Sequence, residues 1–173
     1  MKIASLLLLC GLLAACATNS SRQSAPPMTV SEVDLDRYAG TWYEIARFPN
    51  RFQRDCAGNV SATYTPRPDG TIEVDNRCLD AKGGTKRSVG TAKVVPGSGG
   101  SKLKVTFFWP FAGDYWILAL DPDYEWALVG SPSRDYLWIL ARETTLSAET
   151  YDDIVARARA QRFDVSKLVR TAH

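Results

Sequence analysis

Histidine is almost missing from this chain: of 173 residues only His173 is one, and it stands last, where a terminus is expected to fray. Ser-His and Cys-His nucleophiles are thereby left without a base. The sequence also lacks a Gly-x-Ser-x-Gly run and any His/Cys cluster with metal-ligand spacing, so neither a cofactor nor a metal is expected. One enzymatic route survives, a carboxylate working inside the fold, and its single candidate is Glu44. Charge of one sign is never massed either. The 21 Lys and Arg and 19 Asp and Glu are scattered, giving a net charge of +2, and without a basic block no nucleic-acid partner is expected. No uninterrupted apolar run reaches the roughly 20 residues of a persistent membrane span.

What is present begins with a leader. Lys2 is followed by an apolar stretch from Ile3 to Ala15 and then by polar residues, the pattern of a cleaved signal peptide over 1–15. A buried N-terminal helix is the weaker alternative. Leu13-Ala14-Ala15-Cys16 resembles the bacterial lipobox, which makes Cys16 an acylated first residue. The three acyl chains that the motif implies anchor a protein stably, whereas one holds it only marginally. Ala17 follows in place of the Asp that retains such lipoproteins at the inner membrane, so the periplasmic face of the outer membrane is expected, with the anchor as the membrane contact. Residues 16–32 are rich in Ser, Thr, Gln, Ala and Pro and read as lipidated end and tether; 33–173 read as one domain. Loss of Lys2 with the leader lowers the net charge from +2 to +1, which points to no particular partner.

Four cysteines thus reduce to two. Cys10 leaves with the leader and Cys16 takes lipid. Cys56 and Cys78 are centred on residue 67, inside the turn Pro66-Arg67-Pro68-Asp69-Gly70, so a hairpin about that turn sets them opposite one another. A disulfide there contributes about 3 kcal/mol in the chain-entropy model. A zinc site or a reactive thiol fits less well, because neither cysteine has a second pair or a histidine nearby.

Short alternating runs separated by turn signals fill the rest: 41–47, 57–65, 71–79, 85–95, 102–108, 114–121, 124–131 and 135–142. This is the all-β pattern of an antiparallel barrel or sandwich, and the short connections make consecutive strands neighbours in an up-and-down meander. In the third run Ile72, Val74, Asn76 and Cys78 oppose Thr71, Glu73, Asp75 and Arg77. The sixth and eighth runs are apolar on both faces and need an outer cover. Residues 147–161 supply one: Tyr151, Ile154, Val155 and Ala158 make a helical stripe, with Ser147 as N-cap. Residues 163–169 are expected to return as a short final strand along the edge of the first.

Gly40-Thr41-Trp42 on the first strand, eight strands, and a lone Arg142 ending the eighth together resemble the lipocalins. The similarity is greatest to bacterial outer-membrane lipocalins, with apolipoprotein D and the plant temperature-induced lipocalins as relatives. It spans Tyr38 to Phe52, Phe107 to Phe111, Ala119 to Val129, Asp135 to Arg142 and Phe163 to Lys167. The family's second motif, often Thr-Asp-Tyr, here reads Pro122-Asp123-Tyr124. That departure keeps the turn and loses a hydroxyl.

The resemblance implies an all-β fold, an eight-stranded antiparallel up-and-down β-barrel, which Gly40, Trp42 and Arg142 close at its base, the guanidinium stacking on the indole. An unpaired surface Arg and an ordinary core Trp are the alternative. At the open end it places Phe48, Phe52, Trp109, Pro110 and Phe111, suited to ligand access, to contact with a lipid surface, or to capping one another. Parity with Arg142 turns Leu140, Trp138 and Tyr136 inward, and parity with Trp42 turns Glu44, Ala46 and Phe48 inward. Tyr64, Val74, Asn76, Val105, Phe107, Tyr115 and Ile117 complete the expected lumen. Glu44 either meets a ligand or pairs with a basic neighbour, the commoner fate of an inward carboxylate. By resemblance the ligands are fatty acids or lysophospholipids, held in a binding protein and not an enzyme, with a role in envelope maintenance. A structural lipoprotein with a self-filled barrel and a carboxylate-based lipid-modifying enzyme are the rivals. The sequence names no protein partner and leaves a homodimer open.

Overall fold

The alternating runs pair into one closed sheet. A computed structural model describes residues 25–173; the leader, Cys16 and the first part of the tether lie outside the described residues. The strands are β1 (Gly40–Arg47), β2 (Gly58–Pro66), β3 (Ile72–Leu79), β4 (Thr85–Val94), β5 (Lys102–Phe108), β6 (Phe111–Leu120), β7 (Trp126–Gly130) and β8 (Leu137–Ala141). Each is antiparallel to the next, and β1 closes the barrel by bonding both β8 and β2. Turn chemistry sets the β2–β3 register. Asp69 Oδ1 accepts the Thr71 N–H at 2.9 Å, and Gly70 takes the left-handed conformation that such a turn requires. This hairpin carries the Cys56–Cys78 disulfide, with Cα atoms 5.6 Å apart.

Alternation divides the apolar residues between two clusters. Inside the barrel lie Trp42, Tyr64, Ile72, Val74, Ala92, Leu103, Ile117, Ala127, Val129 and Leu140. Outside it, Leu128, Leu137, Ile139 and Ala141 meet Ile154 and Ala158 of helix α2 (Ala148–Ala160). The helix begins where Ser147 Oγ accepts the Thr150 N–H at 3.0 Å, with Glu149 in its positive first turn and Arg157 and Arg159 in its last. Ile154 is fully buried, worth about 1.5–3 kcal/mol. β7 is buried along its whole length, which explains its unbroken apolar run.

Three features depart from the expected layout. A short helix, α1 (Leu35–Tyr38), precedes β1, capped by Asp34 Oδ1 accepting from the N–H groups of Asp36 and Arg37. It plugs the lower end of the barrel. Part of the expected tether lies against the barrel: the Val30 N–H bonds to Ile117 O at 3.0 Å, and Pro27 is buried. The final strand is shorter and later than 163–169. Residues Val165–Lys167 form a 3-10 turn, held by Ser166 Oγ donating to Asp164 Oδ1, and only β9 (Val169–Arg170) pairs with the edge of β1.

Candidate ligand-binding cup

The lower end is shut by a stack. Trp42 is fully buried, and the Arg142 guanidinium carbon stands 3.9 Å from its ring centre. The same guanidinium donates to three backbone carbonyls, those of Arg37 at 2.7 Å, Thr41 at 3.0 Å and Tyr124 at 3.3 Å. Gly40 takes φ +93°, and a Cβ there would meet Arg142 Nη1 at 3.4 Å, so this glycine serves both the turn and the approach of the cation. The unusual Pro122-Asp123-Tyr124 corner is tied down by Tyr124, whose hydroxyl accepts the Asp34 N–H at 2.9 Å and whose ring lies 4.1 Å below Arg37.

Packing changes with height. Around Trp42 the inward residues Leu103, Ala92 and Ala127 are wholly buried and fill the base. Higher up, Val105, Phe107 and Trp138 face the same interior yet keep accessible surface. The interior is therefore closely packed below, while its side chains above keep accessible surface. Gly90 belongs to this wall because a Cβ there would lie 2.8 Å from the Phe107 ring. Tyr64, Val74, Leu140, Ile117 and Tyr115 also line the interior cluster, and Asn76 shares the inner face of β3 with Val74.

Ala46 and Phe48 are not in the lumen. Both pack in the outer cluster under the helix, Phe48 with its ring 6.3 Å from Phe163. The cause is a bulge: Glu44 pairs with Leu140 but Ala46 pairs with Ile139, so Ile45 is an extra residue and the parity set at Trp42 reverses beyond it. Phe48 accordingly does not join the aromatic rim.

The β1–β2 loop folds over the mouth on a residue that sequence reasoning missed, Gln53. Its Oε1 accepts from Trp138 Nε1 at 3.0 Å and from Asn50 Nδ2 at 2.7 Å, while its Nε2 donates to Glu44 Oε2 at 2.5 Å. The only local signal is Asn50, whose side chain caps the turn through the Gln53 N–H. Tyr136 lies parallel to Trp138 with ring centres 5.8 Å apart, and Phe52 covers Tyr136. Phe108, Trp109 and Phe111 project from the β5–β6 tip, Trp109 being 89% exposed.

Glu44 is buried, and its partners are internal. Thr171 Oγ1 donates to Oε1 at 2.6 Å, and Arg47 Nε forms an ion pair with the same oxygen at 3.1 Å without aiming its N–H at it. Burial raises this carboxyl above its ordinary value, and the hydrogen bonds from Thr171 and Gln53 oppose the rise. His173, expected to fray, instead sets Nε2 2.8 Å from the Glu44 carbonyl oxygen and its ring edge-on to Tyr43. The chain end thus fills the gap where upper β1 has parted from β2. Among the described residues no three His, Cys, Asp or Glu side chains gather as a metal site.

A barrel of eight meandering strands, shut at the base and lined by accessible side chains beneath an aromatic mouth, defines a calyx protein. The chain belongs to the lipocalin family: residues 33–173 match the family described as a lipocalin-like domain. It is 45% identical over 150 residues to temperature-induced lipocalin-1 of Arabidopsis thaliana, covering 82% of this chain and 80% of that one. It is likewise 45% identical over 148 residues to the outer membrane lipoprotein Blc of Escherichia coli K12, covering 83% of each. Among solved structures, insecticyanin of the tobacco hornworm Manduca sexta superposes with a TM-score of 0.69 at 20% identity, over 87% of this chain and 85% of that one. That likeness concerns the fold alone.

Proposed function

We propose that this protein is a lipid-binding cup, anchored through acylated Cys16 to the periplasmic face of an outer membrane. Its cargo in this reading is a fatty acid or lysophospholipid, stored or carried for envelope maintenance. The observation that carries the proposal is the upper lumen wall, where Val105, Phe107 and Trp138 face inward and stay accessible. Each methylene buried against such a wall contributes about 0.8 kcal/mol, so a long chain is held without an ionic contact. The bacterial relative's name, outer membrane lipoprotein, supports the location. The lipobox-like Leu13-Ala14-Ala15-Cys16 supports the anchor. Phe108, Trp109 and Phe111 supply an apolar rim suited to collecting lipid from a surface. A binder is favoured over an enzyme because the one inward carboxylate among the described residues, Glu44, is held by Gln53, Thr171 and Arg47.

The test is extraction of the purified protein with organic solvent and mass spectrometry of what is released. Titration with a fluorescent fatty acid then follows, reading quenching of Trp138. Co-purified lipid and saturable quenching that weakens in Trp138→Ala are expected. Neither lipid nor saturation favours the self-filled structural barrel instead.

A further inference from the structure

Three phenols meet at the floor of the upper lumen. Tyr38 rises from α1, Tyr64 comes from β2 and Tyr115 from β6. Tyr64 donates its proton to Tyr115 Oη at 2.9 Å, and the hydroxyl oxygens of Tyr115 and Tyr38 lie 2.7 Å apart. Burial keeps all three protonated: it holds Tyr38 and Tyr115 well above the usual phenol value and pushes Tyr64 up to about 12.

Proton counting then leaves a remainder. Three O–H groups make two hydrogen bonds, so one proton has no acceptor whichever way the Tyr38–Tyr115 bond points. No other protein group among the described residues takes it. A buried donor left without an acceptor costs about 1–3 kcal/mol. Of the three, Tyr115 alone keeps accessible surface; Tyr38 and Tyr64 are buried. When Tyr38 and Tyr64 both donate to Tyr115, its own O–H is the donor left over, strengthened by the two bonds it accepts. A second polar group is unmatched on the same inner surface. Asn76 Oδ1 is buried without a hydrogen-bond partner, two residues along β3 from Val74, which pairs with Tyr64.

We infer that the floor of the cup binds the neutral oxygen of a lipid, a hydroxyl or carbonyl group inserted polar end first, with Tyr115 as donor. A hydroxyl ligand brings a proton of its own, and Asn76 Oδ1 is an acceptor for it. A carboxylate is disfavoured at this depth. The nearby cation, Arg142, stacks on Trp42 and is engaged by three carbonyls. Acids therefore keep their heads at the mouth, and neutral oxygenated lipids bind reversed.

This inference rests on the lipid-binding reading, and the experiment separates the two. The purified protein is titrated with a long-chain methyl ketone carrying an isotopically labelled carbonyl, and with a fatty acid of the same length; difference infrared spectra follow the ketone. In the bound ketone the carbonyl band is expected below its position in hexane. Tyr115→Phe is expected to abolish that displacement and to weaken the ketone about fivefold, more than it weakens the fatty acid. A bound ketone with an undisplaced band overturns the inference and leaves lipid binding standing, as does a fatty acid that binds where the ketone does not. A displacement that persists in folded Tyr115→Phe overturns the assignment of the donor. Failure of both probes to saturate overturns both readings. Should Tyr115→Phe not fold, the wild-type band decides by itself.

Discussion

Arg142 covers Trp42 from below, its guanidinium carbon 3.9 Å from the ring centre, while its N–H groups reach the carbonyls of α1, β1 and the β6–β7 turn. One side chain thus joins three segments at the base and touches nothing in the upper chamber. Arg142→Ala is expected to lower stability by about 2 kcal/mol, because three carbonyls lose a charged donor together. Arg142→Lys recovers little of this, since a point charge cannot serve three diverging acceptors. Urea denaturation measures the loss. A changed lipid preference with unchanged stability would refute the closing role.

Glu44 gives a pH signature. Its carboxyl lies above the ordinary value of 4.5, chiefly through burial, with Arg47 and His173 as the charged or titratable groups facing it. A raised folded pKa means that the folded state holds the proton more tightly. Its contribution to stability is full below the unfolded value and is lost as pH rises through the folded one. Glu44→Gln is therefore expected to remove a downward slope in stability from pH 4.5 upward. Urea midpoints across pH check it, and parallel wild-type and variant profiles sink it.

Asp75 works in the opposite sense. On the outer face of β3 it accepts from Arg87 at 2.9 Å and Arg77 at 2.8 Å, which hold its pKa down to about 2. A depressed folded pKa gives stability that is present above 3.8, the ordinary value, and lost as pH falls toward 2. Both arginines are about half exposed, so solvent screening reduces the effect. Asp75→Asn is expected to cost about 1 kcal/mol at neutral pH and nothing at the acid end. A constant cost across that range would show that packing, not charge, is responsible.

Replacing Cys56 and Cys78 by Ser together removes a link between residues 22 apart. About 3 kcal/mol of stability is expected to go with it, through the greater freedom of the unfolded chain. The folded barrel is expected to retain its lipid affinity, because the bond sits at the rim of the β2–β3 hairpin. Equilibrium unfolding with and without reductant provides the measurement.

Much of the fold was legible in the sequence for local reasons. Side-chain direction alternates with period two, so Ile72, Val74, Leu103, Val105, Leu140 and Trp138 declared their faces without knowledge of the partner strand. The helical stripe through Ile154 and Ala158 was equally local. Ala46 and Phe48 were misplaced because a bulge belongs to a pair of strands. Ile45 is an ordinary strand residue until Ala46 pairs with Ile139 instead of continuing the register from Leu140. Gln53, Thr171 and His173 had no periodic signal at all. They matter through one buried carboxylate and its backbone, which loop and chain end approach from opposite directions of the sequence.

The sequence by itself determined the strand count, the disulfide, the outer helix and the inner faces of most strands, since each follows from spacing along a short segment. Only the tertiary structure decided what the interior holds. Tyr38, Tyr64 and Tyr115 lie on three distant elements, and their shared hydrogen bonds exist because barrel closure brings those elements to one depth. The same closure tied Glu44 to the mouth and the chain end, and left Val105, Phe107 and Trp138 accessible in the upper lumen. Alternation names the residues that face inward, but it carries no information about height, and height separates a packed floor from an accessible wall.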